Sequence, residues 1–185
     1  MRLTHGLVLL ALAASGCAQS GPVDTATLPA GTYTDTDVDG AALYEANQAF
    51  GLGGHLPASP QQAAHAYAAL DYVAGAVNTH SPYVQINGAA QAQILMARTE
   101  ARKALGIDPA ARSQAVVNAL LAVSAAPDAA ALRTTLSNTI FTLGPDATLQ
   151  RLQSPLGLYT TPYAIAAVYR GQHELEHSGC NSFVC

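Results

Sequence analysis

The sequence predicts an all-α body, a bundle of about six or seven helices behind a flexible N-terminal tether, and three observations predict it. Alanine fills 38 of 185 positions, and larger apolar residues recur at intervals of three and four, as one buried helix face requires. A capping residue followed by proline recurs along the chain and marks helix starts. Strand character is confined to Ser81–Ile86, and a lone strand has nothing to pair with. Composition excludes other classes. With half the residues hydrophobic and 11% charged, the chain is no disordered polyelectrolyte. Its one basic run, Arg98 to Lys103, is too sparse for the continuous stripe a phosphate backbone needs, so no nucleic-acid partner is expected.

The chain opens on a leader. Arg2 precedes the apolar stretch Gly6–Ala14, which is far shorter than the roughly 20 residues that span a bilayer, and Ala14-Ser15-Gly16 places small residues before Cys17. These positions resemble the lipobox of bacterial lipoproteins, in which the cysteine becomes the lipidated N-terminus once the leader is removed. The resemblance covers residues 14–17. It implies a signal peptide over residues 1–16, lipidation at Cys17, and a periplasm-facing body held to the cell envelope by its anchor; Ala18 after the cysteine fits outer-membrane sorting. With Cys17 so committed, Cys180 and Cys185 remain as a pair, and an oxidising envelope favours a disulfide between them. Loss of Arg2 leaves seven basic and twelve acidic residues. So acidic a body is not expected to seek anionic lipid, and the acyl chains would supply the membrane affinity.

Residues 17–38 read as lipidated terminus and linker. From Ala18 to Val38 no periodicity persists for two turns, and a coil of that length would hold the body on the order of 25 Å from the membrane. The helical domain follows over residues 39–185. Its first helix spans about Gly40 to Phe50. Ser59-Pro60-Gln61-Gln62 is a capping box opening the second, with Ala63, Tyr67, Leu70, Ala74 and Val77 on one face. The third, Ala89 to Leu105, carries Ile94, Ala97 and Ala101 and is ended by Gly106. Asp108-Pro109 is expected to open the fourth, with Val116, Val117, Leu120, Leu121 and Val123 inward. Pro127 opens a fifth bearing Leu132, Leu136, Ile140 and Leu143. A short sixth runs from Pro145 to Leu152, and the last from Pro162 to His177 buries Ile165, Val168 and Tyr169. With no tryptophan and three phenylalanines, the helices should approach closely and leave little room for a deep cofactor cavity.

Several segments carry candidate chemistry. His173-Glu174-Leu175-Glu176-His177 sets two imidazoles one helical turn apart and resembles, over five residues, the zincin metalloprotease motif. That resemblance implies His173 and His177 as zinc ligands and Glu174 as general base of a metal-dependent hydrolase. The expected alternative is a solvated last turn in which His177 meets the negative end of the helix dipole, with no catalytic residue. His173, His177, Cys180 and Cys185 also have the spacing of a structural zinc site, a use of the two sulfurs that excludes the disulfide. Asp35-Thr-Asp37-Val-Asp39-Gly40 matches the first half of an EF-hand calcium loop, but the twelfth position is Ala46; an acidic linker ending in an Asp39 cap is expected, with a calcium-responsive protein as the alternative. Gly40–Asn47 is similar to the opening helix of c-type cytochromes, yet no C-x-x-C-H follows for covalent haem. His55 and His80 read as uncommitted loop histidines. The leading expectation is a lipid-anchored envelope protein acting by binding or scaffolding toward an unknown envelope protein or ligand. No resident cofactor is expected, zinc and calcium standing as alternatives.

Overall fold

The computed structural model describes residues 22–80, 83–154 and 157–180, the side chains of residues 84 and 175–180 excepted. Among these residues the chain forms seven α-helices: α1 (Val38–Phe50), α2 (Pro60–Ala76), α3 (Gly88–Leu105), α4 (Ser113–Ser124), α5 (Ala129–Leu136), α6 (Pro145–Gln153) and α7 (Thr161–Cys180). The expected all-α bundle is what folds. The β-like run before α3 is a 3-10 turn at Tyr83–Gln85 that buries Tyr83 and Ile86. No helix of the described residues is long and apolar enough to cross a membrane.

Helix α2 is the axis. Thirteen of its seventeen residues are buried, so it is apolar nearly all round and must be enclosed, which α1, α3, α4 and α6 accomplish. Its alanines let those neighbours come close, and Gly75 lets the backbone of Thr25 come closer still: a Cβ there would sit 3.1 Å from the Thr25 Cα. Helix α7 runs back along α3. Its first residue, Thr161, donates both its N–H and its hydroxyl to Glu100 of α3, and its Gly171 lies against Ile86, just before the start of α3.

Local chemistry explains most boundaries. Ser59, Asn87 and Asp128 accept backbone N–H groups in the first turns of α2, α3 and α5, and Gly106 ends α3 in the left-handed conformation with φ +70°. Several boundaries differ from expectation. The cap of α1 is Asp37, which accepts from the Gly40 N–H at 2.9 Å, and not Asp39. Asp108-Pro109 opens a turn rather than a helix, because the Asp108 side chain takes the Ala110 N–H and its carbonyl the Ala111 N–H. Helix α5 stops at Leu136. Ile140 and Leu143 belong to the following loop, where Thr142 N–H donates to the Gly106 carbonyl and Asp108 N–H to that of Ile140, stapling two connections together. Helix α7 continues past His177 to Cys180.

The largest difference is at the tether. From Asp24 onward the supposed linker is a strap on the body. Thr27 donates its N–H to the Gln114 amide oxygen at 2.8 Å and accepts from the same amide at 3.0 Å, so one side chain imitates a strand partner. Ala26 is buried, and Leu28 and Tyr33 pack on the core. A segment without helical or strand periodicity is thus ordered by side chains of α3 and α4, a partnership that no local pattern announces.

Candidate functional site

The last turns of α3 place Arg98 and Arg102 on one face, four residues apart, with Lys103 beside them. Residues 106–112 then double back through Pro109 and deliver Arg112, the residue before α4, to the same place. Between them lies a groove of about 810 Å³, with Ile107, Pro109 and Leu143 forming its apolar side and Asp24 of the strap at its rim.

The four cations have different duties. Arg102 is anchored: its Nε and Nη2 donate to the two oxygens of Asp71 at 2.5 and 2.7 Å, with Asp71 only 4% exposed. It donates further to the Ala111 carbonyl and the Ser113 hydroxyl. Arg98 donates to the Asp24 carbonyl at 2.7 Å and to Ser113 at 3.0 Å, both uncharged acceptors. Burial draws its pKa below the usual guanidinium value, and Arg102 adds to that pull against the attraction of Asp71 and Asp24. Lys103 and Arg112 are exposed, and neither has a carboxylate partner among the described residues. The start of α4 is completed by the strap, since Asp24 Oδ2 accepts the Ser113 N–H at 2.7 Å where Arg112 offers no side-chain cap. Beneath the groove, a void of about 10 Å³, room for one water, is walled by Tyr67, Asp71, Arg98 and Arg102. The Tyr67 hydroxyl, on a residue 3% exposed, has no protein partner there.

A second polar cluster joins α1 to α2. Glu45 accepts from the Tyr33 hydroxyl at 2.5 Å and faces His65 Nδ1 at 2.8 Å, with the two rings edge to face. Asp39 accepts from the Tyr72 hydroxyl and meets His80 Nδ1 at 3.1 Å. The hydrogen bond to Glu45 raises the His65 pKa above its ordinary value although burial opposes it. Burial, reinforced by Glu45 and by Asp39, raises the Tyr33 and Tyr72 hydroxyls respectively. These are stabilising carboxylate–tyrosine–histidine clasps. His80 is therefore not an uncommitted loop histidine, and Asp39 is neither a cap nor a converging calcium ligand. Asp35 is likewise engaged, accepting the Asp37 N–H at 3.0 Å. Among the described residues no group of three or more His, Cys, Asp or Glu side chains is placed to hold a metal.

Glu100 on α3 closes the start of α7. It accepts from the Tyr159, Thr160 and Thr161 N–H groups and from the Thr161 hydroxyl, at 2.7 to 3.1 Å. Burial alone would raise its pKa, but these donors outweigh burial and hold the carboxyl below its usual range.

The segment His173 to His177 is reached at the other end of α7. His173 and Glu174 are exposed, and the His173 ring packs edge to face on Tyr169 at 4.4 Å between centroids. The side chains of His177 and Cys180, together with Cys185 and Cys17, lie outside the described residues. No protein-family model matches the chain, and neither the curated proteins nor the solved structures contain a match.

Proposed function

We propose that this chain is a lipid-anchored, envelope-facing binding protein whose ligand site is the arginine-lined groove at the end of α3, and whose ligand is a small organic anion. The observation that carries the reading is the concentration of charge: of the seven basic residues left after a leader is removed, four line one groove in an acidic chain. Two of them, Arg98 and Arg102, are fixed by hydrogen bonds, and two, Lys103 and Arg112, remain to meet a ligand. The volume of about 810 Å³ falls within the range usual for small-molecule sites. In this reading residues 1–16 are a signal peptide, Cys17 bears the lipid, and Cys180, the last residue of α7, forms a local disulfide with Cys185.

The test uses anilinonaphthalene sulfonate, a fluorescent anion with an apolar body. Saturable binding of one dye per chain is expected, and Lys103→Glu combined with Arg112→Glu should weaken it by at least about tenfold, or 1.4 kcal/mol, without changing the far-UV circular dichroism or the melting temperature. Absence of saturable binding, or binding indifferent to the double reversal, contradicts the proposal.

A further inference from the structure

We infer that the groove receives the anionic headgroup of a membrane phospholipid, and that the strap is what brings it to the membrane surface. The inference rests on the reading just given, and deepens it by naming the ligand class. Three placements support it. First, Asp24 both pins the strap and forms part of the groove rim, through its backbone carbonyl on Arg98 and its carboxylate on the Ser113 N–H. Seven residue steps separate Cys17 from Asp24, and whatever their conformation they cannot span more than about 25 Å. A lipid on Cys17 therefore confines the groove to the neighbourhood of the bilayer, where the effective concentration of headgroups is high.

Second, two of the acidic residues, Glu174 and Asp39, lie toward the opposite end of α3. The groove lies at the C-terminal end of α3. The later turns of α7, with Arg170, Gly171 and Glu174, lie against residues 85–93 in the N-terminal half of that 18-residue helix, Asn87 standing about 24 Å along the axis from Lys103. Asp39, part of the acidic cluster, belongs to that far end too: its partner His80 follows Asn78, which donates to the Gln91 carbonyl in the first turn of α3. At physiological ionic strength charges act over about 8 Å, so these carboxylates do not cancel the local field of the groove. Net charge alone therefore misleads about which surface an anionic lipid would meet.

Third, the chemistry is two-sided. Lys103 and Arg112 are exposed cations lining the groove with no carboxylate partner among the described residues, and Arg98 and Arg102 hold the field behind them. Against Asp24, the underlying Asp71, and Asp108 in the turn between Ile107 and Pro109, these four cations leave a surplus of one positive charge. The apolar side includes Leu143, 45% exposed on the groove wall, with Pro109 and Ile107 near it. Free phosphate would leave that wall wet, whereas a glycerol backbone and the first acyl carbons would cover it.

The experiment is vesicle co-sedimentation of the mature chain carrying Cys17→Ser, so that no acyl anchor contributes. Binding to phosphatidylcholine vesicles that contain phosphatidylglycerol is expected, with little binding to phosphatidylcholine alone. Lys103→Glu with Arg112→Glu should reduce it by at least about 30-fold, since loss of each basic residue near an anionic surface is by itself about a fivefold effect and the reversal adds repulsion. Short-chain phosphatidylglycerol below its micellar concentration should compete, and inorganic phosphate at the same concentration should not. Equal binding to both vesicles, binding unaffected by the double reversal, or equal competition by inorganic phosphate would overturn the inference. Charge-dependent dye binding without vesicle binding would remove this inference and leave the small-anion site standing; loss of both would remove both.

Discussion

Removing Arg102 should loosen the whole groove end of the bundle. Its guanidinium is the post between α2, through Asp71, and the approach to α4, through the Ala111 carbonyl and the Ser113 hydroxyl. In Arg102→Met the apolar stem is kept while Asp71 stays buried without its bidentate partner. Breaking a buried pair in this way costs about 3–5 kcal/mol. Arg98 is close enough to Asp71 to be attracted by it, which favours the lower half of that range, about 3–4 kcal/mol. For a body of this size each kcal/mol lowers the melting temperature by roughly 2–4 °C, so a fall of about 6–16 °C is expected. Urea unfolding followed by far-UV circular dichroism measures the free energy directly. Asp71→Asn combined with Arg102→Met should cost less than the two single losses added together, because the second substitution removes a charge already orphaned by the first. A loss under about 1 kcal/mol for Arg102→Met would refute the claim that this pair holds the groove floor in place.

Other perturbations have equally definite outcomes. Glu100→Gln should cost about 1 kcal/mol near neutrality. Because the Glu100 pKa is lower folded than unfolded, its stabilisation is complete above the unfolded value near 4.5 and is lost as pH falls through the folded one; the gap between variant and wild type in urea midpoint should therefore close in acid. His65→Gln should behave in the opposite sense. The folded pKa of His65 lies above 6.5, so its contribution is full below that value and fades as pH rises through the folded one, and urea midpoints should show the larger loss at mildly acidic pH and the smaller at alkaline pH. Gly106→Ala places a side chain in the left-handed region, for about 1–2 kcal/mol, and its Cβ would overlap Leu143. Calorimetry should show lower stability and dye titration weaker binding, since the groove wall must move.

The helices were legible wherever their ends are set by near neighbours in sequence. Ser59-Pro60, Gly106 and Gly144-Pro145 mark boundaries that the structure keeps, because each cap acts within a turn of its own helix. The start of α4 was not legible, since its cap is Asp24, 89 residues away in the sequence. The same long-range partner explains why a strap reads as a linker. The groove was hidden for a related reason: Arg98 and Arg102 are visible as a helix face, but Arg112 joins them only because residues 106–112 turn instead of entering a helix at Pro109. Glu45 and His65 meet across 20 residues between two alanine-rich helices, and a histidine in an otherwise buried alanine face was the one available signal.

The most direct test of the central claim is a heteronuclear NMR titration of the mature chain with the anilinonaphthalene sulfonate probe. The largest amide shifts are predicted at Lys103, Gly106, Ile107, Ala110, Arg112 and Leu143, which line one groove although they come from three segments of the chain. Shifts centred instead on the cleft between α3 and α7, at Asn87, Gln93 and Gly171, or spread over the surface without saturating, would contradict it.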